Sequence, residues 1–216
     1  MYNLPASTIL DNVIPKKVFV DKLGANTRMK DHFTNDIVKV EWISKIASST
    51  LNVADGKEVH EITVFKVPLK EDECSYDLFT FIDSMMPRHT LFILCKGEQV
   101  CLHLNYKEHI DSVGRTEKAY RITKTYRSAW INKSSLKIQI EGLNMDAIYE
   151  TLVRQVAGER IISASNDLKS DVQISAEHEA LLQQLETLKK KEASEIQPQK
   201  KFALHQQILE LNKRLS

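Results

Sequence analysis

From Asp167 onward the sequence turns to Glu, Lys, Gln and Leu, and its apolar residues keep a four-three step: Leu181, Leu185 and Leu188, then Leu204, Ile208, Leu211 and Leu215. That spacing is the seam of a coiled coil, and it leaves little choice of secondary structure. Pro198 divides the stripe and pushes Gln197 out of helical geometry, so a helical hairpin or a sharply kinked helix is expected over 168–216. Each arm holds only about two to four heptads, and helices that short are marginal alone in water. The stripe therefore needs a partner: its own second arm, a second copy of the chain, or another protein. These seven residues are the expected partner-binding set.

The remainder, 1–160, reads as an α+β globular domain. Pro15 suits the first position of a short helix over Lys16–Leu23, with Val18, Phe19 and Leu23 inward and Gly24 ending it. Asn26 or Thr27 caps a second helix that turns Met29 and Phe33 inward. Ile37–Ile46 alternates as a strand (Val38, Val40, Trp42 against Lys39, Glu41), a pattern that Ile43 and Ile46 blur. Glu58–Leu69 is a second strand, at whose edge or end Pro68 must lie. Tyr76, Phe79, Ile82 and Met86 then mark an amphipathic helix stopped by Pro87.

Thr90–Cys95 and Gln99–Leu104, joined by Lys96-Gly97-Glu98, form a hairpin. Strands follow over Ala119–Arg127 and Leu136–Ile140. A helix capped by Asn144 carries Met145, Ile148, Leu152 and Val156 on one face. The expectation is a mixed or antiparallel sheet of five or six strands with two packing helices, behind a helical N-terminus.

Chemistry is sparse. There is no phosphate loop, nucleophile elbow, zincin helix or paired-cysteine zinc site, and six glycines without a cluster give little backbone freedom to cradle a nucleotide. Neither a cofactor nor a metal is expected. Cys74, Cys95 and Cys101 make no C-x-x-C pair, and Cys95 and Cys101 read as buried apolar thiols. His103, between two leucines, reads as a structural histidine, solvent-facing or hydrogen-bonded. Glu41, Glu58 and Glu61 with Lys66 are the nearest material for a metal-dependent nuclease, but the Glu-x-Lys spacing is absent and alternating carboxylates fit a solvated sheet face. The acidic run Glu71–Glu73 fits solvated surface.

Thirty Lys+Arg against 29 Asp+Glu give no global pull toward polyanions, so any attraction must be local. It concentrates in Ser112–Ile140, where Arg115, Lys118, Arg121, Lys124, Arg127, Lys133 and Lys137 face the single acid Glu117. Arg121, Thr123, Thr125 and Arg127 alternate along one strand, a row of donors suited to phosphate oxygens. The plainer reading is a basic edge strand that resists unwanted pairing. The opening MYNLPASTILDNVIPKK lacks the pattern of a secretory signal and no apolar run reaches bilayer length, so a cytoplasmic protein with no membrane contact is expected.

Several segments together resemble a known family. They are Leu4-Pro5 with Ser7-Thr8, Ile14-Pro15-Lys16-Lys17 with Phe19 and Leu23, Val40-Glu41-Trp42, Thr50-Leu51-Asn52-Val53, and Lys57 through Ile62. Phe81-Ile82-Asp83 running to Pro87, Phe92-Ile93, Tyr106-Lys107, Met145 through Glu150, and Lys200-Lys201-Phe202 continue the series. In order and spacing these are similar to the prokaryotic domain of unknown function 4391, over nearly the whole chain. The resemblance implies companionship with helicase and DNA-methyltransferase genes in restriction or phage-defence loci, and it carries no catalytic residue.

The expected function is a non-enzymatic accessory or adaptor subunit of a DNA-defence assembly. Its tail would dock on a larger helicase or methyltransferase partner, or self-associate. The alternatives are a direct DNA- or RNA-binding module, and a divergent metal-dependent nuclease using Glu41, Glu58 or Glu61.

Overall fold

A computed structural model describes residues 2–22, 24–70, 74–110, 119–165 and 167–215, in two compact units that divide between Gly158 and Glu159. In the first unit the elements run β1 (Ile9–Ile14), α1 (Lys16–Lys22), α2 (Thr27–Asn35), β2 (Val40–Ala47), α3 (Ser48–Leu51), β3 (Glu61–Pro68), α4 (Asp77–Ser84), β4 (His89–Lys96), β5 (Gln99–Ile110), β6 (Ala119–Arg127), β7 (Ile131–Asn132) and α5 (Met145–Ala157). One mixed sheet results, in the order β1-β2-β3-β4-β5-β6, with β7 paired to β5. Among the described strand pairs, β3 with β4 alone is parallel, so a crossover must join them, and α4 supplies it. These two central strands are buried almost continuously, as a strand covered on both faces should be.

On one face Phe19, Met29 and Phe33 from α1 and α2, with Leu78, Phe79 and Ile82 from α4, pack over Phe65, Phe92, Leu94 and Cys101. Helix α5 packs over β5 and β6, burying Met145, Ile148, Leu152 and Val156 as its spacing predicts. Asn144 caps it, accepting from the Ala147 N–H at 2.9 Å. The fold is α+β, with a helical pair at its C-terminal end.

The sequence pattern misleads at four places. Ile9–Ile14, not anticipated as a strand, pairs with β2 as an edge whose Ile9 and Val13 stay exposed, so it shows no alternation to read. In α1 the inward residues are Phe19 and Val20, and Val18 is exposed; Leu23 lies outside the described residues. In β2 a register shift between Trp42 and Ser44 moves the buried set from Val40 and Trp42 to Ser44 and Ile46, and Val38 is exposed before the strand begins. With Ile43 as the extra residue, Ile46 faces away from Val40 although an even number of positions separates them.

Leu136–Ile140 is no strand, although Leu136 and Ile138 are buried as alternation requires. Its backbone groups are satisfied otherwise. The Gln155 side chain on α5 accepts from the Gln139 N–H at 3.0 Å and donates to the Lys137 carbonyl at 2.6 Å, while the Ile138 N–H reaches the Tyr2 carbonyl. A helix amide thus stands in for a neighbouring strand.

The second unit holds α6 (Leu168–Ser194) and α7 (Pro198–Leu215), joined by three residues. Pro198 opens α7, where its missing N–H costs nothing. Leu185, Ile208 and Leu211 are buried between the helices, with Leu181, Leu188 and Leu215 packed against them. Asp167 caps α6 by accepting from the Ser170 N–H at 2.9 Å.

Two outcomes follow. Ile208→Asp should place a carboxylate in the seam and cost about 2–4 kcal/mol of hairpin packing, read as lost helical circular dichroism and new proteolysis at Lys200 or Lys201 with the first unit's unfolding unchanged. At the N-terminus of α5, Asp146 accepts from the N–H groups of Lys57, Glu58 and Val59 at 2.6, 3.1 and 2.8 Å. Partial burial alone would raise this carboxyl, but the three amides outweigh it and hold its pKa below the ordinary value. Asp146→Asn should therefore destabilise by about 2 kcal/mol at neutral pH. Because the folded pKa is the lower one, the gap from wild type should be full above about pH 4 and close as pH falls through the depressed value, in urea titrations at pH 7, 4 and 3.

Candidate nucleic-acid interface

The polar centre of the molecule lies where α4 crosses β5 and β6. Along β5, His103, Asn105 and Lys107 interrupt an otherwise apolar run, and all three are buried. Lys107 Nζ stands 2.6 Å from Asp83 Oδ1, with both side chains almost fully buried. The ammonium also donates to the carbonyls of Asp83, Met86 and Arg88 at 2.6, 3.3 and 2.7 Å. These carbonyls lie at and beyond the C-terminal end of α4, where the helical ladder has ended and the Asp83 carbonyl also takes the Met86 N–H at 3.1 Å; a cation there also suits the helix dipole. Burial raises the Asp83 carboxyl and lowers the Lys107 ammonium, each opposed by the other's charge.

This pair sets the direction of the bonds that lead outward. Asp83 Oδ2 accepts from Asn105 Nδ2 at 3.0 Å, which turns Asn105 Oδ1 toward β6. That oxygen accepts from Thr125 Oγ1 at 2.8 Å and from Thr80 Oγ1 at 3.3 Å. Opposite, the Tyr149 hydroxyl of α5 donates to the Asn105 carbonyl at 3.1 Å and accepts from the Lys107 N–H at 3.3 Å. It satisfies β5 beside a bulge in its pairing with β6, where Thr123 is the extra residue.

A second inside-to-outside column stands beside it. His103 is buried among Tyr76, Phe79 and Phe92, and neither ring nitrogen has a hydrogen-bond partner among the described residues. The sequence expectation of a solvent-facing or hydrogen-bonded histidine is therefore wrong: the ring is buried among aromatic side chains. Burial, reinforced by the Arg127 guanidinium, pushes its pKa down to about 4, so the ring is neutral. Tyr76 stacks on it at 6.1 Å and 14°, and Arg127 lies over the Tyr76 ring at 3.8 Å.

The basic residues singled out by sequence do not form one surface. Arg115 and Lys118 lie outside the described residues, as does the run Glu71–Glu73. Arg121, Thr123, Thr125 and Arg127 are exposed along β6, which ends the sheet path. The threonine hydroxyls, however, donate inward, Thr125 to Asn105 and Thr123 to the Tyr106 carbonyl at 3.4 Å, so the outward donors are the arginines. Lys124 is half-buried opposite Tyr106, on the face that α5 covers. Lys133 is paired with Glu98 at 2.6 Å across the β4–β5 turn.

The other candidates disperse too. Glu41 is held by Lys39 at 2.7 Å and Lys66 at 3.0 Å, and Glu61 by Arg88 at 2.6 Å and Lys45 at 3.0 Å. The two carboxylates lie at opposite ends of the β2–β3 ladder, and Glu58 is exposed outside it. No group of three His, Cys, Asp or Glu suited to a metal ion occurs among the described residues. Cys101 is buried, while Cys95 is half-buried 4.0 Å from the Tyr2 hydroxyl. The seam leucines Leu181, Leu185 and Leu188 meet Ile208, Leu211 and Leu215 within the hairpin, and Leu204 is half-buried. Sequence reasoning gave no site role to Asp83, Asn105, Lys107 or Tyr76. The available signal was polar residues at i, i+2 and i+4 in a run apolar enough to be buried.

No described helix is long and apolar enough to cross a membrane. The family model described as "Domain of unknown function (DUF4391)" matches residues 2–215, and the chain belongs to that family. No curated protein and no solved structure matches it.

Lys107→Met should leave Asp83 buried without its counter-charge and remove the ammonium's hydrogen bonds to the carbonyls of Met86 and Arg88. The expected cost is about 3–5 kcal/mol, measured by chemical denaturation. Replacing Asp83 with Leu as well should recover part of it, giving a non-zero coupling energy in the double-mutant cycle.

Proposed function

We propose that this DUF4391 member is a non-enzymatic accessory subunit of a prokaryotic DNA-defence assembly, of the restriction or antiphage kind. In this reading it lies against nucleic-acid backbone with β6 while a larger helicase or methyltransferase partner performs the chemistry. The observation that carries the reading is the exposure of Arg121 and Arg127 on the terminal strand of the sheet path, with Arg127 anchored over Tyr76. A guanidinium offers several fixed donors to phosphate oxygens, and seating it on a ring reduces the freedom lost on binding. The family resemblance to companions of helicases and methyltransferases supports the setting. The carboxylates of Glu41 and Glu61, each already shared between two cations, favour binding over metal-dependent cleavage.

The hairpin would meet its partner by its outer faces, since its leucines are spent on each other. The test is fluorescence anisotropy of the full chain with fluorescein-labelled DNA. Binding should weaken about tenfold or more as salt rises from about 50 to 200 mM, and Arg121→Glu with Arg127→Glu should abolish it. No retention of any nucleic acid at the lower salt would remove the proposal.

A further inference from the structure

We infer that the α4 side of β6 selects unpaired nucleotides, taking a base on the Arg127–Tyr76 stack and a base or sugar proton on the Thr125 hydroxyl oxygen. The inference rests on the backbone-binding reading above and names its ligand, single-stranded nucleic acid. Arginines alone would not discriminate, because a single strand and a duplex both offer phosphates. Two features of the site do.

The first is the direction of the Thr125 hydrogen bond. Its proton is committed to Asn105 Oδ1, whose amide is oriented by Asp83. Thr125 is exposed, so what it turns outward is an acceptor lone pair beside Arg127. A phosphodiester has no proton to give it. An unpaired base edge does, and so does a ribose 2′-hydroxyl. The site thus pairs a cation with an acceptor, which suits a nucleotide whose Watson–Crick edge is open rather than a run of phosphates.

The second is the presence of π faces. Arg127 sits over Tyr76, which sits over the buried neutral ring of His103. The column holds the guanidinium against the protein while the residue as a whole stays exposed, and bases stack on guanidinium planes so presented. Trp130, three residues further, packs against the same cluster and is only half-buried. Bases within a duplex are already stacked on one another and cannot use such faces without being flipped out; those of a single strand can.

The experiment compares fluorescein-labelled oligo-dT and oligo-U 20-mers with a 20-base-pair duplex, using the full chain at low salt. At least one single strand should bind about tenfold tighter than the duplex, given the usual worth of a stacked base, and the tighter of the two identifies the preferred sugar. Arg127→Lys keeps the charge and removes the plane, so it should erase most of that ratio by weakening the single strand alone. Arg121→Ala should weaken all three probes alike and leave the ratio intact. Duplex bound as tightly as both single strands overturns the inference from wild-type protein alone, as does a ratio unchanged in Arg127→Lys, and either leaves the backbone-binding reading standing. Failure to bind any probe overturns both.

Discussion

The buried contact between Lys107 and Asp83 is the constraint on which the rest of the first unit depends. An ammonium removed from water is costly unless every proton finds an acceptor. Here the acceptors are the Asp83 carboxylate and three main-chain carbonyls at and after the end of α4. The crossover helix between the parallel strands β3 and β4 is thereby fixed to β5, a strand beyond both. The carboxylate also orients Asn105, and Asn105 orients Thr125. One charge pair in the interior determines whether a hydroxyl on the outer strand gives a proton or takes one.

The architecture was legible where hydrophobic period and local breakers agreed. The α5 face, the Asn144 cap, the hairpin around Gly97 and the helix before Pro87 depend on contacts within a few residues. So does the separation of the tail at Pro198. What was not legible depends on distant partners. The bulge in β2 inverts the buried face midway, and no local residue announces it. Leu136–Ile140 has the alternation of a strand, but whether it joins a ladder depends on what lies beside it, and Gln155 and Tyr2 occupy that place.

The candidate site divides along the same line. Positive charge near β6 can be counted in the sequence, but its distribution between faces cannot, because Lys124 and Arg127 point to opposite sides and Lys133 is claimed by Glu98. Nor does sequence say that the hydroxyls of Thr123 and Thr125 are turned inward. His103 was read as a lone polar residue needing water or a partner. It serves instead as the floor of an aromatic stack, where a neutral imidazole can replace a fourth ring.

The hairpin bears on how a partner could be engaged. Two helices joined by three residues face each other at an effective concentration in the millimolar range or above, so their leucines pair internally before they meet another chain. A second copy using the same seam would have to open both hairpins, exchanging like contacts for like while losing the freedom of two molecules. Association through Leu185, Ile208 and Leu211 therefore gains nothing that folding has not already secured. The seam makes α6 and α7 a rigid pair, and recognition falls to what that pair turns outward. The two units thus resemble each other in plan: in each, buried contacts hold the elements together, Lys107 with Asp83 in the first and Leu185 with Ile208 and Leu211 in the second, and recognition falls to the exposed faces.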